Sequence, residues 1–200
     1  DTLSLHDALP ISIGGIIFGL LVTTLIITIF ASRKPGPVNK TFGRLQIISS
    51  AWFALTHGAN DGQKTMGIIV LILFSAGLIP DLEMPLWVIF AAATAMGLGT
   101  FFGGYKVIKT LGVKITKLKP YQGFAAETSG GLMLAVFAVF GIPASTTHAI
   151  TGTIMGSGAA RRKRAVRWKV SRQIVFSWII TIPGAAGLGI GFTYLINLFV

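Results

Sequence analysis

Charge is scarce in this 200-residue sequence, and cysteine is absent. Only 12% of the residues are Asp, Glu, Lys or Arg, whereas soluble domains carry about 25%. The lack of cysteine excludes disulfides and thiolate metal sites. Hydrophobic residues make up 52% of the chain, and a soluble domain of this size cannot bury several apolar runs of about 20 residues. The composition therefore predicts an all-α membrane protein.

The few charged residues are unevenly placed. Of 17 basic residues, all but Lys64 fall in the loops 33–44, 106–119 and 161–172. The positive-inside bias of short loops explains these clusters better than a lipid-headgroup or nucleic-acid site does. We therefore expect the three loops to be cytoplasmic, and we expect no nucleic-acid partner.

The first eleven residues, DTLSLHDALPI, fit neither a signal peptide nor a helix or strand pattern. Their sequence resembles one translated frame of a widely used short-read sequencing adapter. We expect residues 1–11 to be an assembly artefact and the natural polypeptide to extend upstream of Ser12. Residues 12–200 are then expected to form a single membrane domain.

Apolar runs predict the membrane segments, which cover residues 13–31, 47–80, 86–104, 123–160 and 174–196. A helix over 47–80 would be about 50 Å long, beyond a hydrocarbon core of about 30 Å, so we predict a break at Gly58–Lys64. The stretch 123–160 lies between two basic loops, which predicts a hairpin inside the membrane or two crossings. Pro183 predicts a kink in the last segment.

The motif HGANDGQKTMGII, residues 57–69, places ionisable groups inside an apolar run. Such groups are costly in hydrocarbon and usually face the bundle interior or a water-filled path. Asp61 and Lys64 could simply neutralise each other on one helix face. Asn60 and Gln63 next to glycines instead favour unwound backbone that lines a cavity and binds an ion.

The motif GIPASTTHAI, residues 141–150, has the features of a helix start. Pro143 and the N-cap candidate Ser145 precede Thr146 and Thr147, whose hydroxyls fall in the first turn, where the helix dipole is positive. Such an end can bind an anion. The alternative is a cap that only hydrogen-bonds to a neighbouring helix.

Three further polar residues are candidates. His57 and His148 could be satisfied interior groups, whereas Glu127, a lone carboxylate in GFAAETSGG, is a candidate proton or sodium site. Ser145 with His148 would also suit an intramembrane hydrolase. The three-residue spacing and the lack of a nearby orienting carboxylate argue against that chemistry.

Three motifs together, HGANDGQKTMGII, GFAAETSGGLML and GIPASTTHAITGTIMGSGAARRKRAVRW, resemble the low-affinity bacterial branch of the inorganic phosphate transporter (Pit) family. The resemblance runs from about Ile16 to the C-terminus. It implies the C-terminal half of an inverted-repeat transporter with broken or re-entrant helices, in the bacterial plasma (inner) membrane. It implies no enzyme activity and no bound cofactor or resident metal.

The same resemblance implies that phosphate is imported by alternating access. Symport with H⁺, symport with Na⁺ and co-transport of a divalent metal with phosphate all stay open, as does sulfate as the substrate. The expected partners are phosphate, the bilayer and the missing N-terminal half, and a homodimer also stays open.

The family's functional residues carry over to all three motifs. The substrate-binding residues expected in this way are Asn60, Asp61, Thr65, Ser145, Thr146 and Thr147. The residues expected to bind the coupling ion or proton are Asp61, Lys64, Glu127 and His148. Lys64 replaces an asparagine of the general family pattern, which argues against a sodium ligand there and favours proton coupling or a neutral metal–phosphate complex.

Overall fold

The computed structural model describes residues 5–142 and 144–198, and no strand occurs within these ranges. The helices are α1 (Leu5–Ile29), α2 (Pro35–Ser75), α3 (Leu86–Lys109), α4 (Pro120–Val139), α5 (Thr146–Ala159) and α6 (Trp168–Asn197). A π-helical segment, Thr110–Ile115, follows α3, and a 3-10 turn, Lys163–Ala165, precedes α6. The prediction of an all-α fold is confirmed.

The chain forms two compact units, divided between Val166 and Arg167. The first unit contains α1 to α5, and the second contains α6, a helix of 30 residues that continues through Pro183. Within the described residues, three helices are long and apolar enough to cross a membrane, over Pro10–Ile29, Leu86–Tyr105 and Trp168–Asn197. They coincide with the predicted segments 13–31, 86–104 and 174–196.

Helix α2 contradicts the predicted break at Gly58–Lys64, because its 41 residues form one uninterrupted helix. Each glycine costs a helix only about 1 kcal/mol relative to alanine. Side chains one turn apart offset part of that cost: His57 Nε2 lies 3.2 Å from Asp61 Oδ2, and Lys64 Nζ lies 3.2 Å from Asp61 Oδ1. The polar residues of the motif therefore support the helix instead of unwinding it.

The end of α4 forms the turn of a helical hairpin. Gly141 has a φ of 66°, in the left-handed region that favours glycine. The amide of Ile142 donates to the carbonyl oxygen of Phe137 at 2.8 Å, the long-range bond of a Schellman motif. This turn stops α4 and reverses the chain; Pro143, the predicted helix start, lies outside the described residues.

Helix α5 has the length of a re-entrant helix, which is too short to cross the membrane. It has 14 residues, about 21 Å of helix, which is shorter than a hydrocarbon core of about 30 Å. Its far end returns to the start of α4, where Gln122 Nε2 donates to the carbonyl oxygen of Ser157 at 2.9 Å. The stretch 123–160 thus leaves and re-enters at the same end of the bundle, as the sequence predicts for a hairpin.

Glycines bring α5 into close contact with α1. A Cβ on Gly152 would lie 2.5 Å from the carbonyl oxygen of Ser12. A Cβ on Gly156 would overlap the carbonyl oxygen of Ile16. Small residues permit such close approach of backbones between membrane helices. Because the contacts run along α5, they fix how far the hairpin reaches into the bundle.

Helices α2 and α4 run side by side in the same direction. Their contacts pair Ser49 with Glu127 and, further along both helices, Asn60 with Leu134. Glycines of α4 again make room, since a Cβ on Gly131 would lie 2.6 Å from the indole ring of Trp52. This pairing brings the centre of α2 next to the tip of the hairpin.

Candidate functional site

The two polar motifs meet at the tip of the hairpin. Thr146 Oγ1, in the first turn of α5, donates to Asp61 Oδ2 at 2.9 Å. Lys64 Nζ donates to the carbonyl oxygen of Ala144 and also to Asp61 Oδ1 at 3.2 Å. With His57 Nε2 at 3.2 Å from Asp61 Oδ2, these five residues form what we call the tip cluster.

The tip cluster is partly buried. The side chains of Asp61 and Lys64 are 30% and 33% exposed, respectively, and Thr146 is buried. About 26 Å of helix separate Asp61 from Arg44, the last basic residue of the first loop. The cluster therefore lies within one hydrocarbon thickness, about 30 Å, of the basic end of α2.

Both carboxylate oxygens of Asp61 face hydrogen-bond donors or a cation. A partly buried carboxylate is stable only when it is paired in this way. The first turn of α5 adds the positive end of a helix dipole next to Thr146. Ammonium, hydroxyl and helix N-terminus together form an environment that stabilises negative charge.

Asn60 and Thr65, two predicted substrate ligands, donate hydrogen bonds to backbone carbonyl oxygens. The buried Asn60 Nδ2 donates to the carbonyl oxygens of Thr56, at 2.9 Å, and Leu134, at 3.3 Å. Thr65 Oγ1 donates to the carbonyl oxygen of Asp61 at 3.2 Å. Asn60 therefore fastens α2 to α4 beside the tip cluster, and its amide hydrogens are already engaged.

The remaining residues of the second motif surround the start of α5. Ser145 is the N-cap, and its Oγ accepts a hydrogen bond from the backbone amide of His148 at 3.4 Å. This contact uses the histidine amide and not its ring, so it is the bond of a helix cap. Thr147 is exposed, and His148 is partly buried.

Glu127 lies apart from the tip cluster, between α4 and α2. Ser49 Oγ donates to its Oε2 at 2.6 Å, and Gln46 Nε2 donates to its Oε1 at 3.4 Å. Ser49 and Asp61 are separated by about 18 Å along α2. The structure therefore separates Glu127 from Asp61 and Lys64, the coupling residues predicted in the first motif.

Sequence reasoning missed several partners in these clusters. The pairing of His57, itself a candidate, with Asp61 could have been found, because a histidine four residues before an aspartate faces it on a continuous helix. The expected break at Gly58–Lys64 hid that relationship. Nothing in the sequence indicates that the Ala144 carbonyl accepts from Lys64, or that Ser49 pairs with Glu127.

Known proteins are similar to this chain in both sequence and fold. A sequence profile described as the phosphate transporter family matches residues 8–189. A probable low-affinity inorganic phosphate transporter of Rhizobium meliloti is 47% identical over 173 residues, which are 86% of this chain and 52% of that protein. One of Bacillus subtilis, with the same description, is 39% identical over 183 residues, 91% of this chain and 55% of that protein.

A solved structure described as the sodium-dependent phosphate transporter matches with a TM-score of 0.65 and 25% identity, over 88% of this chain and 53% of that one. This chain spans about half the length of the curated relatives named above. The family profile covers most of the chain, including both motifs of the tip cluster. The chain belongs to the phosphate transporter family.

Proposed function

We propose that this chain forms half of a membrane transporter that imports inorganic phosphate. The tip cluster is the observation that carries the proposal, because two motifs far apart in sequence converge on a carboxylate and an ammonium beside a helix N-terminus. The assignment of phosphate as the substrate rests on the descriptions of the relatives. The complete transporter, with a second half that completes the site, is part of the proposal.

Lys64 and Thr146 are the donors suited to phosphate oxygens, since each already donates to an oxygen at the tip. Asp61 carries a negative charge in the same place, and two negative charges about 4 Å apart repel each other strongly in a partly buried site. A proton on Asp61 removes that repulsion and turns the carboxyl group into a donor. Phosphate and a proton can therefore bind together at this site, whereas phosphate is repelled when Asp61 is ionised.

The arrangement around Asp61 supports a proton over sodium as the coupling ion. Sodium needs oxygen ligands, and at Asp61 it would have to displace Lys64 Nζ or His57 Nε2 from the carboxylate. Glu127, between Ser49 and Gln46, is a second candidate for the coupling step. A divalent metal carried with phosphate remains an alternative that experiment distinguishes.

We place the basic loops on the cytoplasmic side of the bacterial inner membrane. Arg33, Lys119 and Arg161, from three different loops, line one cavity, which supports a common basic end for the first unit. The hairpin then enters from the cytoplasmic side. In an alternating-access cycle its tip would separate the two sides of the membrane.

Phosphate uptake by the complete transporter in cells without another phosphate importer tests this function. Asp61→Asn keeps the side-chain size but removes the charge that Lys64 neutralises, and we expect uptake to fall at least about tenfold with normal membrane insertion. Asp81→Asn, in an exposed loop, is the matched control and should leave uptake unchanged. Wild-type uptake by the Asp61→Asn variant would refute the proposal.

The same assay separates the alternatives for substrate and coupling ion. Excess sulfate should not compete with labelled phosphate, whereas strong competition would favour a sulfate permease. Replacement of sodium by choline should leave uptake intact, and collapse of the proton gradient should abolish it. Loss of uptake on chelation of divalent cations would instead favour transport of a metal–phosphate complex.

A further inference from the structure

A cavity lined by basic residues lies at one end of the first unit, away from the tip cluster. A cavity of about 230 Å³ opens where α1 ends and α2 and α4 begin. Arg33, Lys119 and Arg161 line it, one from each of the three basic loops. The chain thus brings together three cations that are 42 to 128 residues apart in sequence.

The charge of this cavity is uncompensated in the part of the chain that the structure describes. No carboxylate lines it, and the ion pairs of the described residues involve only Asp61 as the acid. Positive charge near the ends of α1 and α5 suits the helix dipoles, which explains Arg33 and Arg161. Lys119 is instead the N-cap of α4, where the dipole favours an anion and disfavours a cation.

A bound anion would resolve that conflict, because it would face Lys119 and the positive end of α4 together. Asn39, another lining residue, has a buried Oδ1 with no hydrogen-bond partner. Buried polar groups normally have partners, and the carboxamide can turn to offer its Nδ2 as a donor to an oxyanion.

The rest of the lining is apolar, with Ile26, Phe30 and Val38 among its side chains. Ile26 belongs to the candidate membrane span of α1, and Phe30 follows directly after it. The cavity therefore joins a cationic rim to a surface at the membrane boundary that suits acyl chains. Free inorganic phosphate would make no use of that apolar part.

We propose that this cavity binds the phosphate group of an anionic phospholipid, with Arg33, Lys119 and Arg161 around the headgroup and the apolar residues against its glycerol and upper acyl chains. The positive-inside bias explains why the loops are basic, but it does not require three loops to share one cavity. Basic pockets between membrane helices at this boundary are suited to anionic headgroups.

Native mass spectrometry of the detergent-solubilised 200-residue chain tests the proposal. The chain is titrated with phosphatidylglycerol or phosphatidylcholine of identical acyl chains, which differ in headgroup charge. Each Lys or Arg near an anionic lipid contributes about fivefold in affinity, so phosphatidylglycerol should bind at least about tenfold more tightly. The variant Arg33→Gln/Lys119→Gln/Arg161→Gln should lose that preference.

A matched control removes the same charge elsewhere. Lys109, Lys114 and Lys117, between the end of α3 and the start of α4, are exposed and do not line the cavity. Replacing all three with Gln should therefore preserve the lipid preference. Arg33→Lys/Arg161→Lys, which keeps the charge, should preserve it too. Equal loss in both Gln variants, or an unchanged preference in the cavity variant, would overturn the proposal.

Inorganic phosphate is titrated as a separate arm. Under the proposal it should displace phosphatidylglycerol only weakly, because it cannot use the apolar lining. Binding of inorganic phosphate that depends on the three cavity cations, without a preference for phosphatidylglycerol, would assign the cavity to free phosphate and overturn the lipid proposal. None of these outcomes depends on whether the tip cluster transports phosphate.

Discussion

Substitution of Gly156 by alanine tests the contact that holds the re-entrant helix α5 against α1. The added Cβ would overlap the carbonyl oxygen of Ile16 and lie 2.8 Å from the amide nitrogen of Leu20. Ordinary van der Waals contact begins at 3.4 Å, so the Leu20 amide alone requires the two helices to separate by about 0.6 Å. Backbone atoms cannot rotate away as a side chain can.

The expected cost follows from two opposing terms. Overpacking a close-packed interior costs about 1–3 kcal/mol, whereas the higher helix propensity of alanine returns up to about 1 kcal/mol. We place the cost of overpacking in the upper part of its range, because the clash at Gly156 is with backbone. The net loss is then about 1–2 kcal/mol, which for a chain of this size lowers Tm by about 2–8 °C.

Thermal unfolding of the detergent-solubilised chain, followed by far-UV circular dichroism, measures this change. Gly67→Ala is the matched control, because a Cβ on Gly67, in α2, meets nothing within 4 Å. The control keeps only the gain in helix propensity and should leave Tm unchanged or raise it. A Tm for Gly156→Ala as high as that for Gly67→Ala would refute the close contact between α1 and α5.

Two further substitutions test the polar clusters. Thr146→Val keeps the shape of the side chain but removes the donor to Asp61; such bonds contribute about 1.5–3 kcal/mol, so uptake by the complete transporter should fall at least about tenfold. Thr146→Ser should restore most of the uptake, and equal uptake by the Val and Ser variants would contradict a role for the hydroxyl. Ser49→Ala deprives Glu127 of its 2.6 Å donor and should lower the free energy of unfolding by about 1–3 kcal/mol. Adding Glu127→Gln should recover part of that loss, whereas strictly additive losses would indicate that the two side chains do not interact.

The sequence predicts the parts of the fold that depend on local composition. Helices α1, α3 and α6 follow from apolar runs bounded by charge or proline. The hairpin of α4 and α5 follows from counting, because the stretch 123–160 starts and ends at basic loops. Ser145 as an N-cap also follows locally, since a serine before two threonines suits the orphan amides of a helix start.

The sequence does not predict features that depend on which residues face each other across helices. Gly58 and Gly62 suggest a break when each is considered alone, whereas in the structure bonds among His57, Asp61 and Lys64 offset part of their cost. Gly156 and Gly67 are both glycines in apolar stretches of sequence, but of these two only Gly156 lies against the backbone of another helix. These features depend on the register in which neighbouring helices pack. Local patterns in a single sequence do not determine that register.

Under the proposed function, the continuity of α2 bears on how the binding of phosphate is coupled to that of a proton. His57, Asp61 and Lys64 lie on one helix, whereas Ala144 and Thr146 lie on the hairpin tip. An anion that recruits Lys64 or Thr146 has to replace a contact between these two elements, because both donors are already engaged across the boundary. A proton on Asp61 weakens the contact with Thr146, since it neutralises the carboxylate that accepts this hydrogen bond. If anion binding and protonation of Asp61 both favour separation of the tip from α2, then each ligand must increase the affinity for the other ligand, because linkage is reciprocal. Symport would then need no third element to relay the signal between ion and substrate.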